Sequence, residues 1–272
     1  MPHDLQAQSA RLPTAYYLLP TAYCPLFTVY WVHMALWLAL TLGAVLLGAL
    51  LYWLLVTTEG SFLGRRVVVW LYDLTAHKYD RIKEFDDAAE RFFVVRPLLQ
   101  RLPHQVRPLI LDVATGTGRV PLYLLDEPTF HGRVVGLDAS IGMLAQAAAK
   151  LGSFGYRVSL VQQTADRLPF ADNAFDAVTC LEALEFFPSD IVALREIVRV
   201  LKPGGVLMVT RRRGWEGKVF LRRYRSPAEF EAQLAALGLG EVDTLPWQIG
   251  YDQVFAHKPG ERPMTGDRRP AI

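Results

Sequence analysis

The stretch that decides the fold is LILDVATGTGRVP, residues 109–121, followed after a short gap by RVVGLD, residues 133–138. Its apolar start predicts a β-strand that enters a turn containing Gly116 and Gly118, and the turn opens a helix. The second apolar run predicts another strand and ends in Asp138. Glycines in such a turn let backbone N–H groups approach a ligand, and a carboxylate at this spacing can accept hydrogen bonds from both ribose hydroxyls. The spacing therefore predicts a nucleotide-cofactor site.

The residue at position 119 discriminates between cofactors. A nicotinamide site needs small residues at positions 114, 116 and 119, the last so that helix and strand pack closely around a pyrophosphate, but position 119 is arginine. The pattern D-x-A-x-G-x-G at residues 112–118 instead resembles the first motif of class I S-adenosylmethionine-dependent methyltransferases. Ala114 stands where that family more often has glycine, and its methyl group is tolerated if φ there is negative.

Downstream, apolar runs of strand length alternate with helical segments, which is typical of a parallel sheet with crossover helices. Strands are predicted at residues 109–113, 134–137, 158–162, 177–180 and 206–210, with two weaker candidates at 242–247 and 253–257. Helices are predicted at residues 120–125, 140–151 and 189–201, the last stopped by Pro203 and Gly204, and from the capping box at 226–229 to Gly238. We therefore expect an α/β fold with a doubly wound, mostly parallel, seven-stranded Rossmann-like sheet. The family resemblance implies that the last strand is antiparallel.

The resemblance covers about residues 72–258. ADRLPF at 165–170 is similar to the family's region after the third strand, which implies that Asp166 accepts a hydrogen bond from the adenine amino group. SIGML at 140–144 is similar to the helix start after the ribose acid, which implies that Met143 lies against the adenine ring. Taken without the resemblance, a methionine there is more often a core packing residue. The residues that the resemblance assigns to the cofactor are Tyr79, Asp112, Ala114, Thr115, Gly116, Gly118, Asp138, Ala139, Met143, Ala165, Asp166 and Leu181.

The segment YDLTAHKYD, residues 72–80, resembles a leading helix that many small-molecule methyltransferases fold over the cofactor as a lid. In that case Tyr79 would bond the methionine carboxylate or shield the methyl group. Tyr72 and Tyr79 are seven residues apart on one helix face, so packing on the sheet alone explains them as well. The sequence leaves both interpretations open.

Residues 26–56 contain no formally charged residue and are rich in Leu, Ala, Val and Trp. The aromatic pairs 30–31 and 52–53 flank the run and are ~33 Å apart at the helical rise of 1.5 Å per residue, close to the thickness of a bilayer. A signal peptide would be shorter, with a basic front end and a cleavage site. A buried core helix is the alternative, and we predict one membrane-spanning helix before the α/β domain.

Flanking charge predicts the orientation of this span. Arg11 is the only basic residue before it, whereas five follow it between residues 65 and 83, so the positive-inside tendency places the catalytic domain in the cytoplasm. Small residues four apart, at 39 and 43 and at 44 and 48, would permit helix pairing into a homodimer. The predicted organisation is a leader at 1–25, the transmembrane helix at 26–56, a linker at 57–71, the methyltransferase domain at 72–258 and a flexible tail at 259–272.

Composition adds further restrictions. The two cysteines provide no disulfide framework and the six histidines are scattered, so no metal site is predicted. Residues 211–225 mix arginine with apolar side chains, which suits an anionic membrane surface or a phosphate-bearing substrate, but a solvated basic loop fits equally. A membrane span argues against nucleic acid as the partner of this charge.

The loop after the fourth strand, LEALEFF at 181–187, is where the family's substrate contacts usually begin. It lacks the Asn/Asp-Pro-Pro-Tyr type of motif, which argues against methylation of nucleic-acid amino groups. Glu182 or Glu185 could accept a proton, but an ordinary surface carboxylate is the simpler interpretation of each, so we name no catalytic residue.

The expected function is therefore that of a membrane-anchored methyltransferase acting on a small or lipid-like acceptor, similar to the ubiquinone and menaquinone biosynthesis and phospholipid methyltransferases. A soluble small-molecule acceptor is one alternative. A non-catalytic S-adenosylmethionine-binding membrane sensor or scaffold is another.

Overall fold

The computed structural model describes residues 25–102, 107–221 and 223–260, without the side chains of residues 25–28 and 216. The predicted leader up to residue 24, which includes Arg11, lies outside the described residues, and so do Arg222 and residues 261–272 of the predicted tail. The chain divides into two compact units, of which the first ends at Leu51 and the second begins at Tyr52.

The first unit is dominated by helix α1, Pro25–Tyr52, which continues into a π-helical turn, Trp53–Thr57. The segment Val29–Thr57 is long enough and apolar enough to cross a membrane, judged by length and composition alone. None of its most apolar stretch is buried inside the protein. A core helix of a soluble protein would be mostly buried. The helix is thus a candidate anchor.

The second unit is built on one seven-stranded sheet. Its strands are β1 (Leu109–Val113), β2 (Arg133–Asp138), β3 (Val158–Gln162), β4 (Phe175–Cys180), β5 (Leu201–Arg212), β6 (Gly240–Gln248) and β7 (Tyr251–His257). The strand order is β3-β2-β1-β4-β5-β7-β6. Strands β1 to β5 pair in parallel, whereas β7 is antiparallel to both β5 and β6. The expected fold, including the antiparallel last strand, is confirmed.

The remaining helices surround this sheet. They are α2 (Arg65–Thr75), α3 (Tyr79–Lys83), α4 (Asp87–Glu90), α5 (Arg96–Arg101), α6 (Arg119–Leu125), α7 (Ile141–Leu151), α8 (Asp190–Val200), α9 (Gly214–Val219) and α10 (Pro227–Ala236). Short 3₁₀ segments lie at Ala76–Lys78, Gly152–Arg157 and Leu184–Phe186, and a π-helical turn lies at Arg91–Val95. Helix α2 begins inside the predicted linker and crosses the predicted domain boundary at residue 72.

Local capping explains several of these boundaries. The Ser140 hydroxyl accepts a hydrogen bond from the Met143 N–H and starts α7, and Ser226 and Glu229 form both bonds of the predicted capping box at α10. Helix α8 ends at Val200, one residue before the predicted end. The chain turns extended at Leu201, and Pro203 and Gly204 lie inside β5 rather than stopping the helix.

The sheet has an apolar core on each face. Alternate residues of β1 point to opposite sides, so Leu111 packs in the core under α8 and α10, whereas Ile110 packs in the core under α6 and α7. The chain runs outward from β1 in one direction through β2 and β3, and in the other through β4 and β5. The strand order therefore reverses between β1 and β4, where open α/β sheets bind ligands outside the carboxyl ends of their strands.

Candidate functional site

A cavity with about 890 Å³ of empty space, its open mouth included, lies at the carboxyl ends of β1, β2 and β4. It brings together nine of the twelve residues predicted for the cofactor: Tyr79, Ala114, Gly116, Asp138, Ala139, Met143, Ala165, Asp166 and Leu181. Asp112, Thr115 and Gly118 do not line it.

The glycine turn and the acidic end of β2 are joined directly. The Gly116 N–H donates to Asp138 Oδ2 at 2.8 Å, and the Ser140 N–H donates to Oδ1 at 2.9 Å. Burial raises the pKa of Asp138, although these two N–H groups offset part of that rise. A side chain at Gly116 would meet no atom within 4 Å, so the glycine is required by its φ of +56° and faces open space. The turn thus presents backbone and a carboxylate to the same cavity.

The sequence prediction requires a negative φ at Ala114, and this residue does not have one. Its φ is +58°, in the left-handed region that disfavours residues with a Cβ atom. The turn after β1 holds this conformation at Ala114, and Gly116 and Gly118 in the same turn also have positive φ values. Ala114 is therefore a strained substitute for glycine at the cavity wall.

The three predicted residues outside the cavity support the turn from behind. Asp112 is buried and accepts a hydrogen bond from the Thr179 hydroxyl at 2.6 Å, which ties the end of β1 to β4, and burial raises its pKa to about 6. The Thr115 N–H donates to the Leu137 carbonyl at 3.0 Å. A Cβ atom at Gly118 would lie 2.7 Å from Leu151 Cδ1, so glycine here lets the start of α6 approach α7.

The segment before the sheet covers the cavity. Tyr72 and Tyr79 both line it, with ring centroids 6.1 Å apart. Asp73 Oδ1 accepts hydrogen bonds from the Ser140 hydroxyl and from the Gly142 N–H, the latter at 2.9 Å, which fixes α2 on the start of α7. Burial raises the pKa of both tyrosines, so they remain protonated hydrogen-bond donors. Both tyrosines thus lie at the cavity, and their role as a lid over the cofactor stays a prediction.

An exposed ion pair crosses the other side of the cavity. Arg65 Nη1, at the start of α2, donates to both carboxylate oxygens of Asp166, at 2.9 and 3.1 Å. The hydrogen bond from the Thr164 side chain and the nearby Arg65 charge lower the pKa of Asp166. The carboxylate predicted for adenine is thus held ionised beside the cavity.

Sequence reasoning missed a buried charge cluster at the cavity wall. Arg119 Nη1 donates to Glu182 Oε1 at 2.9 Å and to Glu90 Oε1 at 3.3 Å, and Lys83 donates to Glu182 Oε2 at 3.0 Å. Burial raises the pKa of Glu182, but the charges of Arg119 and Lys83 outweigh it and hold the pKa below its usual value. The sequence signal of this cluster was Arg119 itself, at a position where a nicotinamide site would need a small residue.

The interpretation of Glu182 and Glu185 as surface carboxylates is corrected by the structure. Glu185 is buried, and its Oε1 accepts hydrogen bonds from the Tyr251 hydroxyl and, at 2.9 Å, from Arg212 Nε. The side chain of Glu182 is 8% exposed. The loop after β4 therefore folds inward, because basic residues from α6 and β5 neutralise both carboxylates.

Another part of the cavity wall is apolar, although Gln163, Thr164 and Ser189 also line the cavity. Val68 and Val69 of α2 face Phe186, Phe187 and Pro188 from the loop after β4. Among the residues that the structure describes, no group of three or more His, Cys, Asp or Glu is placed to hold a metal ion. The cavity thus combines a polar end at the glycine turn with an apolar end suited to a hydrophobic molecule.

Comparisons with known proteins agree with this geometry. Residues 111–209 match the family described as "Methyltransferase domain". A demethylmenaquinone methyltransferase of Bacillus pumilus is 32% identical over 177 residues, which are 57% of this chain and 74% of the relative. Another of the same description, from Staphylococcus haemolyticus, is 35% identical over 131 residues, but the match spans only about half of each protein (48% and 54%). The structure of an S-adenosylmethionine-dependent methyltransferase from Aquifex aeolicus aligns with a TM-score of 0.53 and 21% identity, over 68% of this chain and 98% of that one, which shows a shared fold.

Proposed function

Because the chain belongs to the class I S-adenosylmethionine-dependent methyltransferases, we propose that its acceptor is a quinone-like ring with an apolar tail, methylated at the cytoplasmic face of a membrane. The cavity supports this proposal most directly, since it joins the predicted cofactor residues to an apolar wall. The relatives act, by their descriptions, on demethylmenaquinone.

The residues present fit S-adenosylmethionine. The buried carboxylate of Asp138 would hold the ribose hydroxyls, Met143 and Asp166 the adenine, and Tyr79 with the glycine turn the methionine end. The open space in front of Gly116 and the volume of the cavity leave room for such a ligand. When bound, this cofactor supplies a methyl group on a positively charged sulfur.

The chain's own contribution to the reaction is alignment and exclusion of water. Helix α2 and Tyr79 cover the polar end, and Phe186 and Phe187 close the apolar end. Holding two reactants in line in a dry site converts an encounter into an intramolecular step, which is the main requirement of methyl transfer.

Glu182 lines the cavity but is not a strong base. A carboxylate whose pKa lies below its usual value is a poor proton acceptor, so we assign Glu182 the role of a fixed negative charge near the reacting groups. An electron-rich acceptor such as a reduced quinone ring needs no strong base for the bond-forming step. This argument favours such a ring over an unactivated alcohol.

The membrane part of the proposal depends on α1. A candidate span in the same chain as the domain raises the effective concentration of the enzyme at an acceptor dissolved in the bilayer. Arg65 and Arg66 follow the end of this segment within ten residues and favour a cytoplasmic domain. Pairing of α1 into a homodimer stays a prediction.

The test uses the full chain in lipid nanodiscs with methyl-labelled S-adenosylmethionine. We expect the label in the organic extract when a reduced prenylated naphthoquinone is present. Asp138→Asn and Asp138→Ala should weaken cofactor binding, measured by calorimetry, about tenfold or more, because hydrogen bonds to a charged group contribute roughly 1.5–3 kcal/mol each. Asp172→Ala is the matched control, since this carboxylate is 70% exposed and pairs with Arg199.

Three results would contradict the proposal in distinguishable ways. Label found only in water-soluble products would indicate a soluble acceptor. Cofactor binding without transfer to any acceptor would favour a sensor or scaffold. Absence of binding, or equal affinity in wild type and Asp138→Ala, would remove the cofactor assignment.

A further inference from the structure

Large apolar side chains protrude from two neighbouring loops of the second unit. Trp215, in α9, is 73% exposed, and Ile249, in the turn between β6 and β7, is 98% exposed. The Arg213 N–H donates to the Gly250 carbonyl at 2.8 Å, which holds the two loops together. Leu221, just after α9, is also more than half exposed. We call these three side chains the apolar tip.

The apolar tip lies beyond the carboxyl ends of the parallel strands, on the same side of the sheet as the cavity. Strand β5 ends at Arg212, which pairs with Tyr251 at the start of antiparallel β7. The loops carrying Trp215 and Ile249 therefore continue beyond the carboxyl end of β5. Because β1, β4 and β5 are parallel, this is the edge that carries the cavity.

The same loops are basic. Between residues 213 and 225 the sequence has five basic residues and one acidic residue. Lys218 is exposed, and Arg213 is 42% exposed although it lies 3.3 Å from Asp252 Oδ1. Arg223 donates to two carbonyl groups, those of Glu185 and Ser61, and has no carboxylate partner among the described residues. The surface around the apolar tip therefore carries excess positive charge.

Four arginines, two from the end of β5 and two from the segment that follows it, line a second, smaller cavity with about 390 Å³ of empty space, including its opening. They are Arg211, Arg212, Arg223 and Arg225. Only Glu185 and Asp190 contribute carboxylates to its lining. Arg211 pairs with Asp252, Arg212 with Glu185 and Arg225 with Asp190. Of the four arginines of this recess, Arg223 therefore supplies the positive charge that is not paired with a carboxylate, next to the apolar tip.

We propose that the apolar tip and its basic surroundings dock on an anionic lipid bilayer, with Trp215 and Ile249 in the interfacial layer and the cations at the phosphate headgroups. Exposed Trp and aliphatic residues bordered by Lys and Arg are typical of interfacial binding, and the cytoplasmic leaflet is anionic. A docked domain presents the cavity edge to the bilayer, from which an apolar acceptor enters. This purpose rests on the proposed function, whereas the contact itself can be measured without any acceptor.

Site-specific fluorescence tests the contact in the full chain. Ile249→Cys, in a Cys24→Ser background with the buried Cys180 retained, carries an environment-sensitive dye in nanodiscs. We expect a blue shift and quenching by bromolipids with 30% phosphatidylglycerol, at least twofold stronger than with phosphatidylcholine alone. Tyr156→Cys is the matched control, since Tyr156 is 83% exposed but precedes β3 at the opposite edge of the sheet. It should show no quenching.

A second pair of variants measures the consequence. Trp215→Ser and Ile249→Ser should leave cofactor affinity unchanged and raise the apparent KM for a bilayer-dissolved acceptor several-fold, with no change for the same acceptor in detergent. Three results would overturn the proposal. They are equal quenching at positions 249 and 156, quenching at position 249 that does not depend on anionic lipid, and quenching at position 249 that is lost only when another protein is added. Quenching that persists while no acceptor is methylated would contradict the proposed function and leave the docking surface intact.

Discussion

Replacing Arg119 by methionine tests the buried charge cluster beside the cavity. The side chains of Arg119, Glu182 and Glu90 are 10%, 8% and 6% exposed. Methionine keeps an apolar body that can contact the Phe85 and Trp247 rings, now 4.6 and 5.6 Å from the guanidinium. The substitution therefore removes mainly the charge and its hydrogen bonds.

We expect Arg119→Met to lower the free energy of unfolding by about 3 kcal/mol near neutral pH. Removing one partner of a buried ion pair costs roughly 3–5 kcal/mol, because the other charge stays buried without compensation. The lower end applies since Lys83 continues to neutralise Glu182. Burial already raises the pKa of Glu90 in the folded protein. A carboxylate whose pKa is raised on folding destabilises the folded protein above that pKa, and this destabilisation disappears as the pH falls and the group is protonated. The stability lost in Arg119→Met should therefore be smaller at pH 5.

Urea unfolding in detergent micelles, followed by circular dichroism at pH 7.5 and pH 5, measures these changes. Arg91→Met is the control, because Arg91 pairs with Asp126 at the surface and should cost less than about 1 kcal/mol. Combining Arg119→Met with Glu90→Gln should restore part of the loss. The reasoning is refuted if Arg119→Met costs no more than Arg91→Met, or if the combined variant shows the sum of the two single losses.

Three further predictions follow from the same structure. Ala114→Gly should raise the free energy of unfolding by about 1 kcal/mol, because the left-handed conformation costs an L-residue roughly 1–2 kcal/mol, whereas Ala139→Gly, which lacks a positive φ, should lower it in the same urea titration. The hydrogen bond from Arg199 lowers the pKa of Glu196 from its usual 4.5. The ionised Glu196 therefore stabilises the folded protein above that value, and this stabilisation is lost as the pH falls through the folded pKa. In a plot of the unfolding midpoint against pH, Glu196→Gln should make the decline on the acid side less steep. Cys180 is fully buried and burial raises its pKa, so a Cys24→Ser protein should resist thiol reagents until denatured, and rapid labelling in buffer would contradict the burial.

Local signals sufficed for most of the framework. The bounds of β1 and β3 agree with the prediction because apolar runs there end at clear turn residues, and the serine caps of α7, α8 and α10 start each helix where expected. The extension of β5 through the Pro203 and Gly204 turn depends on its pairing with β4 and β7, which no local pattern encodes.

The site itself was only partly accessible to sequence reasoning. Asp138 and Gly116 follow from spacing, because the turn and the end of β2 must be neighbours in a parallel pair. The bond from Arg119 to Glu182 joins residues 63 positions apart, and it requires both the start of α6 and the loop after β4 to be in place. The sign of φ at Ala114 depends on the closed turn, which a residue-by-residue pattern does not determine.

The hydrogen bonds from Ser140 and Gly142, at the start of α7, to Asp73 matter for the choice of a shorter fragment. A water-soluble fragment trimmed to the matched residues 111–209 would lose that carboxylate, both covering tyrosines and the turn in which Thr58 and Ser61 are buried. The smallest piece able to retain cofactor should therefore start close to Tyr52, at the end of the candidate anchor, rather than at the first strand.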